Sequence, residues 1–72
     1  MREPKDDQLI RQFGKRVRKA RKREEISQEE LALRAELSIN QIGRIERGEI
    51  NTSLIVVGRI AEALNVKVAD LF

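Results

Sequence analysis

The sequence predicts an all-α fold, a compact bundle of four to five short helices that occupies residues 8–72. Apolar residues recur at intervals of three and four along most of the chain, which is the spacing of a helix with one buried face. No stretch shows the alternating pattern of a strand. Two capping boxes, Ser27 with Glu30 and Ser38 with Gln41, mark two helix starts that lie close together. Two helices joined this tightly cannot lie in line, so the chain must turn sharply between them.

Helix one is predicted over residues 8–24, and residues 1–7 are predicted to form a disordered or frayed N-terminal tail. The tail is charged, contains the only proline of the chain and has no apolar periodicity. Asp6 or Asp7 is placed to cap the helix that follows. The inward face of helix one is formed by Ile10, Phe13, Val17 and Ala20.

Helices two and three are predicted over residues 28–35 and 39–47, each preceded by one of the capping serines. Leu37 fills the turn between them. Ala32 is small enough to let the two helices cross closely, and Gly48 suits the end of helix three because glycine tolerates positive φ. The inward residues of this pair are Leu31, Ala32, Ala35, Ile42 and Ile45.

Helix four is predicted to start near Ser53 and to close at Asn65, and a short final turn follows it. Its apolar residues again recur at helical spacing. The expected inward residues are Leu54, Val57, Ile60, Ala61 and Leu64 in helix four, and Val68, Leu71 and Phe72 in the final turn.

Several classes of protein are disfavoured by composition. The chain has no cysteine and no histidine, which excludes disulfides, zinc fingers and catalysis that depends on either residue. No nucleophile–base pair remains, so we expect no enzyme, no catalytic residue, no metal site and no cofactor. No apolar run approaches the length of a membrane span, and no signal-peptide core is present. We therefore expect a cytoplasmic protein without a membrane partner and without an evident small-molecule ligand.

Basic residues are concentrated in one part of the chain. The net charge is +3, and residues 11–23 hold eight of the fifteen basic residues and no acid. Residues 24–36 hold five acids and one base. A basic stripe on one helix is typical of a protein that binds a polyanion, although a solvated helix face has the same composition.

Four segments together resemble one family of regulators. They read GKRVRKAR in helix one, SQEELALRA in helix two, SINQIGRIERG in helix three, and NTSLIVVGRIAEALNV with a later LF after it. Over about residues 13–72 the chain resembles the phage-repressor helix-turn-helix family, also called Cro-like or XRE. The resemblance implies a lambda-repressor-like DNA-binding domain with its helix-turn-helix at residues 28–47 and its recognition helix at about 39–47.

The resemblance also implies which side chains meet double-stranded DNA. Asn40 or Gln41 can bond adenine through two hydrogen bonds, Arg44 can bond guanine in the same way, and Ile39 can contact a thymine methyl group. Gln28 heads helix two, where the family contacts phosphate and braces the recognition helix. The positions carried over as DNA-binding are Gln28, Ser38, Ile39, Asn40, Gln41, Arg44 and Arg47.

Three residues depart from the family pattern. Glu36 stands at a turn position that is usually glycine, and a left-handed conformation there would cost about 1–2 kcal/mol. Glu49 stands in the phosphate-binding loop where lysine is common, and its charge would repel phosphate. Thr52 replaces a proline that often precedes helix four.

Two further assignments concern the inside of the helix-turn-helix. Arg21 and Glu46 occupy positions that pair in the family as a partly buried ion bridge between helices one and three, so we expect a structural ion pair there. Gly43 is unfavourable in the middle of a helix. It indicates close approach of the helix to DNA, tight packing between helices, or sequence drift without a role.

Ile50, Ile55 and Val56 are apolar residues that the helical pattern does not turn inward. The same region forms dimer interfaces in the family, so we expect these three residues to lie in a homodimer interface. A two-fold pair would place two recognition helices about 34 Å apart on a palindromic operator.

The sequence therefore predicts a sequence-specific DNA-binding transcriptional regulator that acts as a homodimer. The alternative is a repressor-like fold that serves as a protein-interaction module, for example an antitoxin, with weak or no DNA binding. Glu36, Glu49 and the acidic helix two favour that alternative, whereas Arg44 and Arg47 oppose it. A steep loss of affinity with rising salt would distinguish DNA binding from it.

Overall fold

The computed structural model describes residues 2–72 as four α-helices followed by one 3₁₀ turn. No strand occurs within that range, so the predicted all-α class is confirmed. No helix within it combines the length and the apolar composition needed to cross a bilayer. The helices are α1 (Pro4–Arg23), α2 (Gln28–Ala35), α3 (Ile39–Glu46) and α4 (Leu54–Ala63), and the 3₁₀ turn is Val68–Leu71.

Helix α1 begins four residues earlier than the sequence predicts. Pro4 is its first residue, a position where the fixed φ of proline suits a helix and its missing N–H is not needed. The backbone N–H of Glu3 donates to the Asp6 carboxylate at 2.9 Å, which closes the first turn. The tail prediction is therefore wrong for residues 4–7, which are helical. Met1 lies outside the described residues.

The two predicted capping boxes differ in the structure. Ser38 and Gln41 form the full box, with both reciprocal hydrogen bonds present. At α2 only half of the box forms. Ser27 accepts from the Glu30 N–H at 3.0 Å, but the Glu30 carboxylate bonds to Arg34 one turn later instead of returning to the backbone.

Each of the four helices is followed, within two residues of its end, by a residue with positive φ; these residues are Glu25, Glu36, Gly48 and Asn65. The amide after each of these residues donates to a carbonyl one turn back, at 2.9–3.3 Å, which is the Schellman arrangement. Only one of the four is a glycine. After three of these ends, the next residue packs an apolar side chain against the core; these residues are Ile26, Leu37 and Val66.

The core is aliphatic and lies where the four helices meet. α3 packs against both α1 and α2, and α2 packs against α4. The final Phe72 stacks its ring on Phe13, with centroids 5.2 Å apart, while its other face is exposed. The buried core residues are Phe13, Val17, Ala20, Leu31, Ala32, Ala35, Ile42, Ile45, Val57, Ile60, Ala61, Leu64 and Leu71.

Three residues predicted to point inward are exposed, namely Leu54, Val68 and Phe72, the last of which stays 44% exposed although its ring stacks on Phe13. Leu54 is 80% exposed, because no neighbouring element covers that side of the first turn of α4 and the buried stripe begins only at Val57. Val68 is also exposed, since Leu71 is the buried residue of the 3₁₀ turn.

Gly14 lets α1 approach α3 closely, and the sequence alone did not indicate this role. A Cβ at Gly14 would collide with the backbone carbonyl oxygens of Ile45 and Glu46 at the end of α3. Gly14 itself is buried. The position of α3 on the bundle therefore depends on a glycine in the facing helix.

Candidate nucleic-acid interface

Helix α3 has one buried face and one exposed face. Ile42 and Ile45 anchor it, because both side chains are fully buried. Asn40, Arg44 and Arg47 lie on the opposite side and are exposed. Four-residue spacing places Asn40 and Arg44 next to each other on that outer face.

The start of α3 is fixed by its own side chains. Ser38 Oγ accepts from the Gln41 N–H at 3.0 Å, and Gln41 Oε1 accepts from the Ser38 N–H at 3.3 Å. Gln41 is half-buried, so it does not share the outward position that the family pattern implied for it. Its amide nitrogen is the polar group that the cap leaves available. Ile39 is half exposed beside the cap.

A polar network holds the far end of α3. Arg21 Nε donates to Glu46 Oε2 at 2.7 Å, and Arg21 Nη2 donates to Glu46 Oε1 at 3.1 Å. The two side chains are only 11% and 2% exposed. The hydrogen bond to Glu46 raises the pKa of Arg21 above its usual value. The pair predicted between helices one and three is thus a bidentate, nearly buried ion pair.

Two further bonds extend this network to α2 and to the loop before it. Gln28 Nε2 donates to Glu46 Oε1 at 3.1 Å, and Arg21 Nη1 donates to the carbonyl of Ile26 at 2.9 Å. Gln28 is half-buried and braces α3 through Glu46. One carboxylate therefore joins α1, α2 and α3, which fixes their relative orientation.

Gly43 makes room for an arginine. It is buried, and a Cβ there would lie 2.9 Å from Nη1 of Arg47 and 3.7 Å from its Cζ. The Arg47 side chain therefore folds back over the surface of α3 at Gly43. The three atoms nearest to such a Cβ all belong to Arg47, so the contact that the structure shows at Gly43 is with this side chain.

Glu49 is paired with two of the candidate DNA-binding arginines. Its Oε2 accepts from Arg47 Nε at 2.6 Å, and its Oε1 lies 3.7 Å from Arg44 Nε. Hydrogen bonding to Arg47 lowers the pKa of Glu49 and raises the pKa of Arg47. The sequence indicated only that Glu49 would repel phosphate, because the pairing depends on the fold of the loop after Gly48.

The basic stripe of α1 divides into two sets in the structure. Arg11 borders the end of α3, where a Cβ on Gly48 would lie 2.7 Å from its Cγ. Helical spacing places Arg18 and Lys22 on the same side of α1 as Arg11. The other set lines a groove between α1 and the 3₁₀ turn; its basic residues are Lys15, Arg16, Lys19 and Arg23.

A family model described as helix-turn-helix matches residues 17–71. The control protein C.BamHI of Bacillus amyloliquefaciens is 42% identical over 60 residues, which cover 82% of this chain and 74% of that protein. The chain belongs to the helix-turn-helix family of DNA-binding regulators. The XRE-type resemblance read from the sequence is therefore confirmed.

Solved structures of helix-turn-helix regulators share this fold. The restriction-modification controller protein C.AhdI from Aeromonas hydrophila is 37% identical, with a TM-score of 0.85 over 90% of this chain and 97% of that one. The clp gene regulator ClgR from Corynebacterium glutamicum is 27% identical, with a TM-score of 0.84 over 88% of this chain and 82% of that one. All these relatives are named as control proteins or regulators, and the expectation that the chain is not an enzyme is confirmed.

The helix-turn-helix domain also has an exposed apolar surface around the start of α4 and the end of the chain. Of the three residues expected in a dimer interface, Ile55 is 71% exposed, whereas Ile50 and Val56 are half-buried against the core. Leu54 and Phe72, which the sequence pattern turned inward, are further exposed apolar residues of this region. We define the apolar surface as Leu9, Ile50, Leu54, Ile55 and Phe72.

Proposed function

We propose that the protein is a transcriptional regulator that binds a specific duplex DNA sequence through the outer face of α3. One observation carries this proposal. The inner face of α3 is held by Ile42, Ile45 and the Glu46 network, while Asn40 and Arg44 are exposed side by side. A helix fixed on one side and polar on the other is what insertion into the major groove requires.

The side chains suggest separate roles within this interface. Arg44 suits guanine and Asn40 suits adenine, since each can form two hydrogen bonds with a base edge. Ile39 can contact a thymine methyl group. Arg47 and the backbone after α3 suit phosphate, and a bond from the Gln28 side chain to phosphate would use the atoms not bonded to Glu46. Ser38 and Gln41 would contribute mainly by capping the start of α3.

The apolar surface supports a homodimer. Gly58 lies one helical turn after Leu54, and a Cβ at Gly58 would meet no atom within 4 Å. Glycine inside a helix costs about 0.5–1 kcal/mol relative to alanine, and no contact among residues 2–72 explains it here. A second copy approaching α4 closely would explain both this glycine and the exposed Leu54 and Ile55.

A two-fold dimer would read a palindromic operator with half-sites about 34 Å apart. C.BamHI and C.AhdI are named as a control protein and a restriction-modification controller. Their similarity to this chain favours a role as a short regulator of the same kind. Such a protein acts where duplex DNA is found, which in bacteria is the cytoplasm.

Selection of bound duplexes from a random pool tests the DNA-binding proposal. We expect the wild-type protein to select one sequence with two-fold symmetry, and its affinity to fall steeply as salt rises, because each phosphate contact adds about 0.9 to the salt slope. Recovery of unrelated sequences, or no retention of any duplex at low salt, would contradict sequence-specific binding.

Sedimentation of two matched variants tests the dimer. Leu54→Glu places a charge in the apolar surface, whereas Leu33→Glu places one on an exposed leucine of α2 outside it. We expect only Leu54→Glu to shift the protein to monomer and to weaken operator binding. Equal behaviour of the two variants would contradict an interface at this surface.

A protein-interaction module is the second candidate. The observation that favours it is the Glu49 carboxylate, which offsets part of the charge of Arg44 and Arg47 on the face proposed to meet DNA. Such a module would show weak DNA binding with little dependence on salt.

A further inference from the structure

The exposed face of α3 ends in a cluster of three charged side chains. Glu49 lies between Arg47 and Arg44, at 2.6 Å from Nε of the first and 3.7 Å from Nε of the second. All three side chains are about half exposed. The cluster therefore places a carboxylate on the surface that would face DNA.

In each guanidinium, Nε and the two terminal nitrogens differ in their contacts with Glu49. The hydrogen bond and the closest ion-pair contact both involve Nε. Within residues 2–72, the terminal nitrogens of Arg44 and Arg47 form no hydrogen bond. Terminal guanidinium nitrogens are suited to a guanine, which accepts two hydrogen bonds through O6 and N7.

Phosphates and bases respond differently to this carboxylate. A phosphate is attracted by net charge over a distance of about 8 Å in physiological salt, so a carboxylate next to two arginines weakens its attraction. A guanine edge is recognised by directed hydrogen bonds from the terminal guanidinium nitrogens. Glu49 contacts Nε instead and forms no hydrogen bond with these terminal nitrogens. The carboxylate would thus weaken binding to non-specific sequences more than it weakens binding to the operator.

We propose, on the basis of the DNA-binding function argued above, that Glu49 is a specificity-determining residue. It offsets the charge of Arg44 and Arg47 toward phosphates of arbitrary sequence and leaves the terminal nitrogens of Arg44 available to a base. Gly43 contributes by making room for the folded-back Arg47 side chain.

Binding measurements with Glu49→Gln test this role. Glutamine keeps the shape of the side chain and removes its charge. We expect the variant to bind a duplex of scrambled sequence about fivefold more tightly than the wild type. The slope of log affinity against log salt should become steeper by about 0.9 per protomer. Affinity for the selected operator should rise less, so the ratio of specific to non-specific affinity should fall.

Glu62→Gln is the matched control. Glu62 is exposed on α4, so its replacement changes the net charge by the same amount at a site away from α3. We expect this control to leave the specificity ratio unchanged. Both variants should melt at the wild-type temperature, since exposed ion pairs contribute little to stability.

Two results would overturn the proposal. One is an equal effect of Glu49→Gln and Glu62→Gln on non-specific binding. The other is loss of preference at a single base pair in Glu49→Gln, which would show that Glu49 itself contacts a base. If the wild-type protein selected no operator at all, the DNA-binding function would fail, and that result is distinct from the other two.

Discussion

Glu46 shows how one residue sets the orientation of α3. Its carboxylate accepts three hydrogen bonds, two from Arg21 and one from Gln28, in a nearly buried position. A buried charge is costly unless it is paired and hydrogen-bonded, and here both conditions are met. The three bonds come from two other helices, so the carboxylate fixes α3 relative to both of them.

Replacing this carboxylate should destabilise the fold. We expect Glu46→Gln to lower the free energy of unfolding by about 2 kcal/mol, because it leaves the Arg21 guanidinium nearly buried without a charge partner. Urea unfolding measures this change. Glu30→Gln is the control, since it breaks an exposed ion pair with Arg34 and should cost less than about 0.5 kcal/mol. Equal costs for the two variants would contradict the structural role of the buried pair.

Some functional residues could not be predicted from the sequence because their roles depend on distant parts of the fold. Glu49 was expected to repel phosphate, and its bond to Arg47 follows from the turn at Gly48. Gly43 was assigned two possible roles, neither of which involved the arginine that lies over it. By contrast, Arg21 and Glu46 were identified in advance through their positions in the family pattern.

At the scale of the elements, the backbone next to the helix ends is strained, and a substitution could relieve this strain. Glu36 ends α2 with φ 58° and ψ 45°, a left-handed conformation that favours glycine. The left-handed conformation that costs about 1–2 kcal/mol at a residue other than glycine is thus the one that Glu36 adopts. Glu25 and Asn65 adopt the same conformation at the ends of α1 and α4.

Glycine at the turn should therefore stabilise the protein. We expect Glu36→Gly to raise the free energy of unfolding by about 1 kcal/mol, because the strain of about 1–2 kcal/mol exceeds the entropic cost of glycine. Such a gain raises the melting temperature of a domain this small by about 4–8 °C. Glu29→Gly, the same change inside α2, should lower the melting temperature. If Glu36→Gly also destabilised the protein, the turn would not be strained.

The contact between α1 and α3 should not tolerate a larger residue at Gly14. We expect Gly14→Ala to destabilise the protein by about 1–3 kcal/mol, because the added methyl group meets backbone carbonyls that cannot move independently. Thermal unfolding measures this cost. Gly58→Ala provides the contrast, since its Cβ meets open space and alanine favours the helix. A stabilising effect of Gly14→Ala would show that the two helices are not in close contact.

Local signals explain which element boundaries could be predicted. The start and end of α2 match the prediction, and the capping serine places the start of α3 correctly. The start of α1 was missed because Glu3 is not a residue that usually caps a helix. The exposure of Leu54 could not be predicted. Helical spacing indicates which way a side chain points, but it does not indicate whether a neighbouring helix extends far enough to cover it.

At the scale of the whole molecule, charge and apolar surface lie in different places. Arg11, Arg18 and Lys22 follow the side of α1 that borders α3, so they extend the positive field around the proposed DNA-binding face. The apolar surface lies around the start of α4 and the end of the chain. A dimer through that surface would leave the outer face of α3 available for DNA.

The most direct test of the central claim is a comparison of the wild-type protein and Arg44→Ala on single-base variants of the selected operator. We expect the wild type to lose about 1–3 kcal/mol of binding free energy at each base that α3 reads. Arg44→Ala should lose its preference at one base pair in each half-site and keep the others. If Arg44→Ala instead weakened binding to all variants equally, Arg44 would contact only phosphate, and α3 would not read the sequence through this side chain.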